Sequence, residues 1–112
     1  MKKFNLPVDS YTLSVELKNL ATPVMGYFSL WNGTTRVGDF RFLKEGKSLR
    51  QLKFDEDDVL VGDLSNENRD AIVDILRNEK PLRLLAWHDG DRVISIRLAT
   101  SDIDLEPIGE GE

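Results

Sequence analysis

The chain contains no cysteine, so disulfide frameworks, thiolate nucleophiles and cysteine-ligated zinc are all excluded. Histidine occurs once, as His88. Flanked by Trp87 and Asp89, it has the form of a base oriented by a carboxylate, but no nucleophile or second base accompanies it and a place at a turn explains it more simply. No apolar run is long enough to cross a bilayer. Lys2 and Lys3 resemble the start of an export leader, yet Asn5, Pro7, Asp9 and Ser10 interrupt the apolar core such a leader needs. Phosphate-binding glycine loops, nucleophile elbows and metalloprotease helices are also missing. The expectation is a cytoplasmic protein with no cofactor, no metal and no catalytic constellation.

Positive charge is in deficit as well, with 15 basic against 20 acidic residues and a net charge of −5. That balance repels nucleic acid at long range. Arg36, Arg41, Arg50, Lys53, Arg83, Arg92 and Arg97 fall on expected strands, where cross-strand ion pairs and stacking on aromatics account for them. Neither a nucleic acid nor a membrane is an expected partner.

What is present belongs to an ordinary globular domain: 112 residues, 40% hydrophobic and 31% charged. A chain of this length buries about two-thirds of its unfolded surface on folding. One domain over 1–112 is expected, with an acidic, partly disordered tail at 100–112.

Period-two alternation is clearest from Tyr11 to Leu17, which places Tyr11, Leu13, Val15 and Leu17 on one side of a strand. Val24–Trp31 runs into Asn32-Gly33 and returns as Thr34–Leu43. Leu82–Leu98 folds back at Asp89-Gly90. Both dipeptides predict two-residue hairpin turns of type I′. In that register Trp31 faces Thr34, Tyr27 faces Gly38, Met25 faces Phe40, His88 faces Asp91, Trp87 faces Arg92 and Leu85 faces Ile94. The alternatives are a bulge at Gly38 and a three-residue loop with Gly90 in a bulge, which shifts the second register by one and swaps the faces of one strand. The face carrying Leu85, Trp87, Ile94, Ile96 and Leu98 is the expected core side of the second hairpin. Ser48–Phe54 predicts a further strand. Ser65–Asn78 predicts a helix, capped by Ser65, acidic at Glu67, striped by Ala71, Ile72, Ile75 and Leu76, and halted by Pro81.

The fold class expected is therefore α+β: a mainly antiparallel β-meander of about six or seven strands, strongly curved or partly barrel-like, with a single helix (about 65–78) before a C-terminal hairpin (82–98). The first hairpin reads as apolar on both faces, and one helix of about 20 Å cannot cover both sides of such a sheet. Met25, Tyr27, Trp31, Phe40 and Phe42 are thus candidates for an interface or ligand-binding face, with plain intramolecular core as the other reading of the same side. A homodimer built on that face is the leading expectation, since aromatics concentrate at interface centres and two-fold dimers are the commonest assembly.

Two alternatives stand beside it. The acidic run Asp55, Glu56, Asp57 and Asp58 suits a basic protein partner, as in an inhibitor or immunity-type protein. It lacks the ligand spacing of a calcium loop. A curved sheet also permits a cavity for a small molecule, with Tyr27, Trp31 and Trp87 as expected lining.

Overall fold

The path of the first fifteen residues decides the shape of this protein. In the computed structural model, residues 2–78 and 82–100 are described, Thr100 by its backbone alone. Most of the tail and the expected helix stop at Pro81 lie outside the described residues. Strands β1 (Lys2–Val8) and β2 (Ser10–Val15) follow one another with Asp9 between them. They nevertheless occupy opposite edges of one eight-stranded sheet. The remaining strands are β3 (Val24–Asn32), β4 (Thr35–Leu43), β5 (Lys53–Phe54), β6 (Leu60–Ser65), β7 (Leu82–Asp89) and β8 (Arg92–Thr100). Their order across the sheet is β1-β7-β8-β5-β6-β4-β3-β2.

The ladder does not close, but the covalent step through Asp9 joins its two edges and forces a strong curl. Asp9 is tied to the tip of the first hairpin, its N–H donating to the Trp31 carbonyl at 2.9 Å and its carboxylate accepting from Gly33 N–H at 2.9 Å. The curl brings β4 over β7: a Cβ on Gly38 would lie 2.7 Å from the Phe40 ring and 3.3 Å from a Leu84 methyl. That close approach is why residue 38 carries no side chain.

The sheet is mostly antiparallel, as the alternation implies, with one parallel pair, β4 and β6. Such a pair needs a crossover. Here the segment 44–52 carries the chain past β6 to β5, which pairs with both β6 and β8. Of the strand expected over Ser48–Phe54, only Lys53–Phe54 forms.

Both hairpins share one construction, which differs from the expected one. Their central residues are Gly33-Thr34 and Gly90-Asp91, closed by the pairs Asn32–Thr35 and Asp89–Arg92. Gly33 and Gly90 each have φ 64°, while no positive φ occurs at Asn32, Thr34, Asp89 or Asp91. Glycine alone at the first central position is the type II′ pattern; type I′ needs positive φ at both.

One further pair follows each turn, then a bulge inserts a residue into the return strand, Val37 in the first hairpin and Ile94 in the second. An extra residue reverses which side chains share a face. Beyond the bulges Phe28 pairs with Phe40, Tyr27 with Arg41, Trp87 with Ser95 and Leu85 with Arg97. Trp31 faces Arg36 and His88 faces Val93. The expected pairings of Tyr27 with Gly38, Met25 with Phe40 and Leu85 with Ile94 are not formed.

The same reversal moves the core. It lies on the concave side, around Phe28, Leu30, Phe40, Phe42, Leu60, Leu82, Leu84 and Ala86, with Val8 from β1. Phe28 stacks on both Phe40 and Phe42, with centroids 4.9 and 5.1 Å apart. In the second hairpin Leu84 and Ala86, not Leu85 and Trp87, belong to this cluster. Leu85 is buried as well, on the convex side. The bulge residue Ile94 is 48% exposed.

A single 3-10 turn, Asn66–Asn68, leads into α1 (Arg69–Asn78). The Ser65 hydroxyl caps it by accepting from Glu67 N–H at 3.4 Å. Only Leu76 of α1 is fully buried; Ile72 and Ile75 are half-buried. The helix rests over the concave face on that narrow stripe.

Candidate functional site

Between α1 and the concave sheet lies a partly open cavity of about 320 Å³. Its floor is apolar and contributed by strands from both halves of the sheet: Phe28 and Leu30 from β3, Phe40 from β4, Leu64 from β6, Leu84 from β7, Ile96 and Leu98 from β8. Strands as distant in the sheet as β3 and β7 border one space because the sheet curls. Asn68, Ala71, Ile72 and Ile75 form the roof, and Arg97 borders the rim. The volume falls at the lower end of the ~300–1,000 Å³ typical of small-molecule sites.

The cavity exists because few side chains fill the gap between sheet and helix. Floor residues point inward by strand alternation, and the roof residues recur at helical spacing on one side of α1. Asn68 and Arg97 are the only polar residues among its described lining, and the Arg97 guanidinium lies on the convex side over Trp87. Such a space can hold a compact apolar molecule with little more than one polar end. Its described lining offers no acid–base pair for chemistry.

The residues singled out from sequence fall elsewhere. Tyr27 and Trp31 lie on the convex side of the first hairpin, Met25 stands unpaired at a second register shift between Val24 and Gly26, and Phe40 and Phe42 lie in the core, 1% and 0% exposed. The bulge at Val37 divides the set. Around Tyr27 and Trp31 the face is polar: Ser29 donates to Asp39 at 2.9 Å, Arg36 pairs with Asp39 at 3.3 Å, and the Arg36 guanidinium lies 4.9 Å from the Trp31 ring centroid. The reading of this ribbon as apolar on both faces is thereby corrected. Trp87 does not border the cavity either; Lys3 and Arg97 lie over its ring.

In the acidic run, the Asp55 carboxylate accepts from Asp57 N–H at 2.8 Å and Val59 N–H at 3.0 Å, and Asp58 has φ 62°. The run closes the turn between β5 and β6. Glu56, Asp57 and Asp58 are exposed. Among the described residues no group of acidic or histidine side chains is arranged to hold a metal ion. His88 packs edge-on against the Phe54 ring at 5.0 Å, and its Nδ1 lies 2.9 Å from the Gly90 carbonyl.

The most strongly perturbed charges were not anticipated from sequence. Asp63, on β6, has a fully buried carboxylate that accepts from Arg41 Nε at 2.9 Å and Nη2 at 3.0 Å. It also accepts from Arg50 N–H at 2.8 Å and Arg50 Nε at 2.9 Å. Burial alone pushes Asp63 up, but the hydrogen bonds from Arg41 and from the Arg50 backbone and side chain, with the charge of Arg50, outweigh it and hold the acid below its ordinary value. The hydrogen bond to Asp63 leads the causes that raise Arg41, opposed by its own burial and assisted by the charge of Asp63. This cluster pins the crossover segment to the convex side of β6. Only an aspartate in an otherwise apolar stretch, Leu60-Val61-Gly62-Asp63-Leu64, signalled it.

No helix among the described residues is long and apolar enough to cross a membrane. Comparison with protein-family models, with curated proteins and with solved structures finds no match to this chain.

Proposed function

We propose that this protein is a small-molecule binding module that takes up a compact, largely apolar ligand between α1 and the concave sheet. The cavity beneath a thinly seated helix is the observation that supports the reading. Its apolar lining is partly open to solvent, and an apolar ligand seated there removes that surface from water at about 25 cal/mol per Å².

Dodecanoate, titrated calorimetrically into the purified protein, is a suitable probe. Micromolar binding is expected, with a negative heat-capacity change from buried apolar surface. Ala71, exposed at the roof, is the place to block entry without touching the core. Ala71→Trp is expected to weaken binding at least tenfold while leaving the far-ultraviolet circular dichroism unchanged. Absence of binding at millimolar dodecanoate, or equal binding by a folded Ala71→Trp protein, overturns the proposal.

A further inference from the structure

The two edges of the sheet are guarded very differently. β1 carries Lys2, Lys3 and Pro7, the charges and proline with which edge strands resist pairing. β2 reads Ser-Tyr-Thr-Leu-Ser-Val, with neither a charge nor a proline, and no strand among the described residues lies on its outer side.

The ladder identifies which peptide groups this edge offers. Glu16 N–H donates to the Met25 carbonyl at 2.9 Å, in line with the register that pairs Ser14 with Tyr27 and Thr12 with Ser29. By antiparallel alternation Thr12, Ser14 and Glu16 direct their peptide groups towards β3. Tyr11, Leu13 and Val15 then direct theirs outward. The same three residues carry the strand's apolar side chains, and Leu13 and Val15 remain 36% and 43% exposed.

Those side chains border a hollow of about 350 Å³ between β2 and α1, walled by Val73 and by Arg69, Asp70, Asp74 and Arg77. Its walls carry two arginines and two aspartates, with Arg69 4.0 Å from Asp70, so a second copy of the chain meets no net charge there.

We infer that β2 pairs antiparallel with β2 of a second copy of this chain, about a two-fold axis at Leu13, extending the sheet across the dimer. Leu13 exchanges both backbone hydrogen bonds with its counterpart, and Tyr11 does so with Val15 of the other copy. The incoming Tyr11, Leu13 and Val15 side chains lie on the concave side and fill the hollow beneath α1, each protomer filling that of its partner. The convex side chains Ser10, Thr12 and Ser14 are small and uncharged, so nothing there repels.

Sedimentation velocity across a micromolar concentration series tests this on the full chain. The expected result is a mass rising from 12.8 kDa towards twice that value. Leu13→Lys places a charge at the axis, and Thr12→Lys places one on the convex side without altering the hollow. Each is expected to weaken association at least tenfold with an unchanged far-ultraviolet spectrum, whereas Trp31→Glu leaves it as it is. A chain that stays at 12.8 kDa at hundreds of micromolar overturns the proposal. So does association of folded Thr12→Lys and Leu13→Lys proteins at the native strength, or dissociation by Trp31→Glu alone. Dimer formation seen only in a chain ending at Thr100 also overturns it, since residues 101–112 would then be the natural cover of this edge.

Discussion

Arg50 reaches Asp63 twice, through its main-chain N–H at 2.8 Å and its guanidinium Nε at 2.9 Å. Together with Arg41, this contact fastens the segment that carries the chain past β6 and makes the β4–β6 pair parallel. Removing the carboxylate leaves a buried amide facing two guanidinium groups. Asp63→Asn is expected to cost about 2–3 kcal/mol, reduced from a fully buried ion pair because Arg50 is largely exposed. Chemical denaturation monitored by circular dichroism checks it, and Arg50→Ala should cost less than half as much.

The same carboxylate sets a pH dependence. Its folded-state pKa lies below the ordinary value, so its stabilisation is complete above the unfolded-state pKa of about 3.9 and is lost as pH falls through the folded pKa. Native protein should therefore lose stability below about pH 4 more steeply than Asp63→Asn. Parallel unfolding curves for the two proteins between pH 5 and about pH 2 would refute this.

The bulge at Val37 makes the two sides of the first hairpin energetically unequal. Phe40→Ala removes a ring stacked in the core and is expected to cost about 3–5 kcal/mol. Tyr27→Ala, on the convex side with Tyr27 43% exposed, should cost about 1 kcal/mol or less. Similar losses from the two substitutions would contradict the observed register.

Gly62 supports the crossover from the concave side. A Cβ there would lie 2.5 Å from a Leu52 methyl, closer than real Cβ atoms approach, and 3.0 Å from the Leu52 Cα, a tight contact. Because backbone is involved, Gly62→Ala should destabilise by about 1–3 kcal/mol. Gly62→Ala combined with Leu52→Ala should recover little, since only the methyl clash is relieved.

Helix α1 meets the sheet through a narrow stripe with Leu76 as its only buried residue. Local opening there should need less free energy than opening of β3 and β4. Native-state hydrogen exchange is expected to show α1 amides exchanging at least tenfold faster than those of Phe28 and Phe40, with dodecanoate slowing the α1 amides selectively.

The amino-acid order by itself determined the inventory of elements. Alternation from Tyr11 marked β2, the glycine-containing dipeptides marked both reversals, and Ser65 with Ala71, Ile72, Ile75 and Leu76 marked the helix. These signals are local, set by side-chain periodicity and by backbone freedom at glycine. The faces were decided only in the tertiary structure. Val37 and Ile94 are ordinary β-branched residues, and although Gly38 beside Val37 is compatible with a bulge, neither strand's alternation shows which residue is extra, yet each reverses a strand, sending Phe40 inward and leaving Tyr27 outside. Nor does a local pattern show that Asp63 meets Arg41 and Arg50, or that Phe28 and Leu84 border one cavity. Those meetings depend on the curl imposed when consecutive strands, joined through Asp9, were placed at opposite edges of the same sheet.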